Sequence, residues 1–186
     1  MTETAAETEM ELRFLPVGDF YFGGDALRIQ TVLGTCVSIT MWHPIRRLGG
    51  MCHYLLPERT STSAAGEGMR GVYATEAIAL FADSLRRAGA KPRDFVVKMF
   101  GGGNMFPEQL RDPDCRKQTC SDTKRLACDS IGCRNIVAGR RLLTQEGYSV
   151  GEGDVGGHGS RQVLFDVWSG DVWVRQGHAL GQMETQ

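Results

Sequence analysis

A chain of 186 residues with a net charge of −1 and 41% hydrophobic residues predicts one domain whose core is large enough to stand without covalent staples. The near-neutral balance argues against a protein built to track nucleic acid or to coat an acidic membrane. Six cysteines in a chain of this size, with no basic and apolar leader at its N-terminus, predict reduced thiols in a cytoplasmic protein and not a disulfide framework.

Residues 1–11 are acidic and Thr/Ala-rich and read as a disordered tail. Phe14 to Phe22 alternates loosely around Pro16 and Gly18 and predicts one or two short strands; Leu27 to Leu33 predicts another, ending at Gly34. Beyond Cys36, apolar residues alternate from Val37 to Trp42, the period of a strand. His43, Pro44, Arg46 and Arg47 make the next turn, and Gly49 to Leu56 forms a further strand stopped by Pro57. The run from Ile29 to Ile45 lacks charge but carries Gln, Thr, Ser, His and Pro44, which makes it a poor membrane span. Glu58 to Gly71 is rich in Ser, Gly and Thr and reads as a surface loop. Ala74, Ala77, Ile78, Phe81 and Leu85 share a helical face over Val72 to Ala88, with Arg86 and Arg87 near the end and Gly89 beyond it. Phe95 to Phe100 predicts a buried strand running into Gly101-Gly102-Gly103. Ile131 to Tyr148 predicts a second helix with Ile136, Gly139 and Leu143 on one face, and Gln162 to Trp168 and Asp171 to Arg175 form a hairpin about Ser169-Gly170. Strands and two long helices without strict alternation predict an α+β fold.

Among the cysteines, Cys36 follows the small-residue stretch Gly34-Thr35, where a turn can expose a thiol and present backbone N–H groups as an oxyanion hole. A thiol of ordinary pKa is a few per cent ionised at neutral pH and needs a base. His53, within an apolar strand beside Gly49-Gly50, is the candidate; His43 reads as a surface turn cap, His158 as a solvated loop residue, and His178 as part of the C-terminal tail. Cys52, between Met51 and His53, reads as core filler. Spacing alone does not join the pair. A plain hairpin centred near Arg46 sets Cys36 opposite Leu56 or Pro57, leaving His53 roughly 10–13 Å along at ~3.3 Å per residue. A dyad then requires a bulge, a bend or another pairing. Cys115, Cys120, Cys128 and Cys133 are separated by four, seven and four residues; they permit a structural zinc site but lack the two-residue knuckle that makes such a pattern specific. Gly101 to Gly103 lacks the lysine and hydroxyl of a phosphate loop and reads as close backbone packing near a site.

Five strings in order carry more than any one of them. Leu33-Gly34-Thr35-Cys36-Val37-Ser38, Trp42-His43-Pro44, Gly49-Gly50-Met51-Cys52-His53-Tyr54-Leu55-Leu56-Pro57, Lys98-Met99-Phe100-Gly101-Gly102-Gly103-Asn104-Met105-Phe106 and Ile131-Gly132-Cys133-Arg134-Asn135 together resemble the chemoreceptor glutamine deamidases, the CheD family. The resemblance covers Phe14 to Arg175. It implies a β-sandwich-like mixed-sheet core with two flanking helices, similar to bacterial toxin deamidases, in one deamidase domain over residues 12–178 with a tail at 179–186. It also implies a protein-glutamine glutaminase without a cofactor, converting glutamines of methyl-accepting chemotaxis receptors to glutamate. By the same resemblance Cys36 is the nucleophile and His53 the base. A threonine completes the family site; Thr31, five residues before Cys36, is its match, with Gln30 at the alternative offset. The implied partners are receptor cytoplasmic domains and a CheC-type phosphatase, and a non-catalytic adaptor binding either is the alternative function. Residues 107–130, a Cys-rich insertion, depart from the family pattern.

Overall fold

The computed structural model describes residues 10–59, 71–111 and 128–177. Its elements run β1 (Glu11–Phe14), β2 (Phe20–Gly23), β3 (Leu27–Leu33), β4 (Val37–His43), β5 (Leu48–Tyr54), α1 (Ala74–Ala88), β6 (Val96–Gly101), α2 (Ile131–Gln145), β7 (Asp154–Val155), β8 (Arg161–Asp166) and β9 (Val172–Gln176). The strands form two mixed sheets, ordered β1-β3-β8-β9 and β2-β5-β4-β6-β7. The expected α+β class is the one adopted.

Side-chain alternation decides what lies between the layers. In β3, Leu27, Ile29, Thr31 and Leu33 are buried while Arg28 and Val32 are exposed. Ile29 and Leu33 join Leu15, Met51, Phe100, Val163 and Phe165 in the core between the sheets, with Cys36 and Trp42 packed against it. The opposite face of the second sheet presents Val37, Ile39, Met41, Cys52 and Tyr54 to α1 and α2 through Ala77, Phe81, Ile136 and Leu143. Truncating a fully buried residue here, Ile39 for example, costs about 2–5 kcal/mol through lost transfer energy and the cavity left behind. Helix α1 ends as the sequence predicts: Gly89 takes φ 59°, and its N–H and that of Ala90 close on Arg86 and Leu85 carbonyls. Helix α2 starts on Ser130, whose hydroxyl accepts the Cys133 N–H, and stops at Gln145, three residues short of the expected Tyr148.

The β4–β5 register departs from the plain hairpin. Val37 pairs with Tyr54, Ser38 with His53 and His43 with Leu48, so Cys36 falls opposite Leu55, not Leu56 or Pro57. The turn spans Pro44 to Arg47, and Arg47 adopts a left-handed φ of 48° while donating its N–H to the His43 carbonyl at 2.9 Å. His43 is buried against Phe95, with ring centroids 5.2 Å apart. It still caps the turn, accepting the Arg46 N–H on Nδ1, but it is not on the surface.

Candidate active site

His53 is 3% exposed and points between the sheets, where Thr31 of β3 meets it. The Thr31 hydroxyl donates to the Leu15 carbonyl at 2.7 Å, and Thr31 Oγ1 lies 2.9 Å from His53 Nδ1. The Leu15 carbonyl, an obligate acceptor, is also 3.3 Å from Nδ1. With the single Thr31 hydrogen committed to Leu15, both neighbours of Nδ1 are acceptors. This assigns the proton to Nδ1 and the lone pair to Nε2. Nε2 is buried and makes no hydrogen bond. The alternation of β3 separates the two candidates for the third position: Thr31 faces inward and is fully buried, whereas Gln30 lies on the opposite side of the strand, opposite Phe14 and Leu164 in the ladders.

Cys36 is half-buried, one residue before β4, on the inter-sheet side with Ser38. Because Ser38 pairs with His53, Cys36 and His53 are diagonal neighbours on one face; in a regular ladder such neighbours are about 7–8 Å apart. Cys36 and His53 thus both face the space between the sheets, although the paired ladder ends one residue short of the thiol, at Val37 with Tyr54. The structure does not join them by a hydrogen bond.

The segment carrying the thiol is held by its carbonyls. Gly34 O accepts the Gly103 N–H at 2.8 Å, Cys36 O accepts the Gly102 N–H at 2.7 Å, and Thr35 O accepts Asn135 Nδ2 at 3.0 Å. Among the described residues the amide N–H groups of Gly34 and Thr35 donate to no acceptor, and that of Cys36 bears only on its own thiol, so the segment can offer donors to a developing oxyanion. The approach of the Gly-rich strand end is close: at Gly101 (φ 102°) a Cβ would collide with the Cys36 carbonyl. This is the backbone packing expected of Gly101 to Gly103.

Burial pushes the Cys36 thiol above its ordinary pKa, a rise its own backbone N–H partly offsets. Burial also lowers the His53 imidazole, against the opposing influence of the Leu15 carbonyl and the Asp19 carboxylate. Both shifts favour uncharged partners at rest. The arrangement is therefore suited to general-base transfer from thiol to Nε2 during attack, not to a preformed ion pair.

The remaining sequence candidates fall elsewhere. Cys52 is fully buried on the helix side, its thiol pushed up to about 12 by desolvation, in keeping with core filler. His158 is exposed, as expected. Cys133 is buried at the start of α2, and Cys128 is disulfide-bonded, contrary to the expected reduced state. Cys115, Cys120 and His178 lie outside the described residues, as do most of the surface loop at 60–70 and most of the insertion, 112–127. Among the described residues no three His, Cys, Asp or Glu side chains gather as metal ligands, and no helix is long and apolar enough to cross a membrane. Sequence reasoning did not foresee Asn135, which reaches the site from α2, or Arg161. The latter is 1% exposed, bonded to Asp154 Oδ1 at 2.7 Å and to the Gly156 carbonyl, and holds the loop that packs on Gly103.

A thiol and an imidazole nitrogen without a hydrogen-bond partner, both facing the space between the sheets, are groups that can support acyl transfer through a thioester. A family model described as CheD chemotactic sensory transduction matches residues 55–176. A probable chemoreceptor glutamine deamidase CheD 3 of Dechloromonas aromatica is 42% identical over 92% of this chain and 91% of its own length. A probable chemoreceptor glutamine deamidase CheD 1 of Chromobacterium violaceum is 39% identical over 92% of this chain and 80% of its own. The chain belongs to the CheD family. Among solved structures, the Bacillus licheniformis hypothetical protein YfiH is similar at a TM-score of 0.42 and 17% identity, over 73% of this chain and 51% of that one.

Proposed function

We propose that the protein is a cytoplasmic protein-glutamine glutaminase that converts glutamine side chains of chemoreceptor cytoplasmic domains to glutamate, with Cys36 as nucleophile, His53 as base and Thr31 as the residue that orients the base. The observation carrying this reading is the His53 imidazole: Nδ1 is tied to Thr31 Oγ1 at 2.9 Å, and Nε2 is unpartnered on the face it shares with Cys36. The names of the relatives supply the substrate class.

The chemistry balances without a cofactor. Nε2 takes the thiol proton as Sγ bonds to the carboxamide carbon, and the oxyanion forms against the amides of the Gly34–Cys36 segment. The imidazolium then gives its proton to the departing nitrogen. Ammonia leaves and a thioester remains. Water, losing a proton to Nε2, attacks the same carbon, and the thiolate departs and recovers that proton. Base assistance of this kind is worth about 10²–10⁴ in rate. A CheC-type phosphatase is the further protein partner in this reading, detectable as a stable complex with the purified chain.

The test is co-expression with a chemoreceptor, scanning its peptides by mass spectrometry for Gln-to-Glu conversion, alongside ammonia release in vitro. Conversion is expected with the wild type and absent from folded Cys36→Ala and His53→Ala proteins. Full activity in either variant removes the assignment, and receptor binding without turnover by the wild type returns the adaptor reading.

A further inference from the structure

Strands β4 and β5 part company at the site. Their last pair is Val37 with Tyr54. Beyond it the N–H groups of Leu55 and Leu56 both donate to the Val72 carbonyl, at 2.8 and 3.1 Å, while the Cys36 carbonyl turns to Gly102. Among the described residues no backbone hydrogen bond joins those that follow His53 to those that precede Val37. One side chain bridges this gap. Asn135 of α2, 0% exposed, donates from Nδ2 to the Thr35 carbonyl at 3.0 Å and to the Leu55 carbonyl at 2.8 Å. Thr35 directly precedes the thiol, and Leu55 lies two residues past the imidazole.

We propose that Asn135 is a positioning residue for the deamidation, its carboxamide replacing the missing rung of the β4–β5 ladder and thereby fixing the separation of Cys36 from His53. This rests on the assignment of those two residues as nucleophile and base. The chemistry singles out a primary amide. Two N–H donors on one nitrogen can serve two carbonyls, which no carboxylate or hydroxyl of similar size does. The nitrogen is held by the helix itself. The Tyr54 hydroxyl donates to the Asn135 carbonyl at 2.8 Å, and at Gly132 and Gly139 an added Cβ would collide with the Gly102 carbonyl and the Tyr54 hydroxyl, respectively. Helix α2 can therefore approach closely enough for a short side chain to span both segments. Full burial keeps Asn135 from touching substrate, so it acts through the thiol and the imidazole.

The test compares wild type with Asn135→Asp, which preserves shape but removes the paired donors, and with Asn135→Ala, should the first fail to fold. Tyr54→Phe, which loosens α2 but leaves both carboxamide bonds, and His53→Ala serve as references. Alkylation of Cys36 by iodoacetamide is followed by peptide mass spectrometry between about pH 6 and 9, where a thiol aided by an imidazole and an unaided one react differently. Steady-state deamidation is measured in parallel. In the Asn135 variants the alkylation profile is expected to collapse onto that of His53→Ala, with kcat reduced by about 10²-fold, the cost of a misplacement near 1 Å, and KM within about twofold. Tyr54→Phe is expected to melt earlier yet keep the wild-type profile. If a folded Asn135 variant melts earlier but retains the wild-type profile and kcat, Asn135 is a folding residue only and the proposal is wrong. If His53→Ala itself leaves the profile unchanged, the pairing of thiol and imidazole fails and the proposal falls with it.

Discussion

On the proposed assignment of His53 as base, Thr31→Val tests how the imidazole is oriented, because valine keeps the shape and deletes one hydroxyl. In the resting enzyme His53 is neutral, and Thr31 Oγ1 accepts its Nδ1–H at 2.9 Å. A neutral hydrogen bond contributes about 1 kcal/mol net, and one to a charged group about 1.5–3 kcal/mol. Only the difference, roughly 0.5–2 kcal/mol, is specific to the transition state in which the imidazole becomes charged. At about 1.4 kcal/mol per decade this predicts a kcat loss of roughly 2- to 30-fold. The Leu15 carbonyl, 3.3 Å from Nδ1, still holds the correct tautomer, so the loss stays well below the ~10⁴ seen when a base is forced into the wrong tautomer. Two hydrogen bonds disappear from the fold, about 2 kcal/mol, and Tm is expected to fall by about 4–8 °C. Initial rates of ammonia release from a glutamine-bearing receptor fragment, with Thr31→Ser as the hydroxyl-retaining control, make the measurement. A Thr31→Val enzyme with unchanged kcat, or one as inactive as His53→Ala, would refute the reasoning.

Further expectations concern the scaffold and its titration. Gly101→Ala, whose Cβ meets the Cys36 carbonyl at a φ of 102°, is expected to abolish activity and lower Tm, whereas at Gly34 the atoms nearest a Cβ belong to the flexible Met105 side chain, at 3.1 Å from its sulfur, so Gly34→Ala should be milder; equal effects would contradict the assigned packing. Since the folded state lowers the His53 pKa from 6.5, the unfolded chain takes up the proton first, and stability is lost as pH falls below that value. A His53→Gln protein should show a flatter dependence of Tm on pH in that acid window. Burial raises Cys52 from 9.0 to about 12, so here stability is lost as pH climbs through that interval. Urea unfolding of Cys52→Ala should retain more of its neutral-pH stability there, with a residual slope from Cys36 and from Tyr21, Tyr54 and Tyr148, all raised by burial.

Local pattern carried most of the architecture. The alternation of Val37 to Trp42 and the apolar face through Ala77, Phe81 and Leu85 are short-range properties, and β4 and α1 follow them. The register between β4 and β5 was not legible because the turn hides its chemistry. The left-handed position is filled by Arg47, not by the glycine or asparagine that would mark it, and a shift of one residue reverses which face a side chain occupies. For the same reason the thiol and the imidazole could not be united from spacing. Thr31 rather than Gln30 is what strand parity implies once Leu27, Ile29 and Leu33 are taken as the buried set. Asn135 lies 100 positions from Thr35; nothing in its own neighbourhood indicates the carbonyls it reaches.

The carbonyls of Gly34, Thr35 and Cys36 are held by Gly103, Asn135 and Gly102, groups that reach the ribosome's exit long after the thiol and its base. A nascent chain that has already released Cys36 and His53 therefore carries the Cys36 segment without these partners until helix α2 has emerged and docked. Acquisition of reactivity becomes a late event of synthesis. On the proposed assignment, a stalled or truncated product that contains both residues is expected to be inert toward the proteins around it.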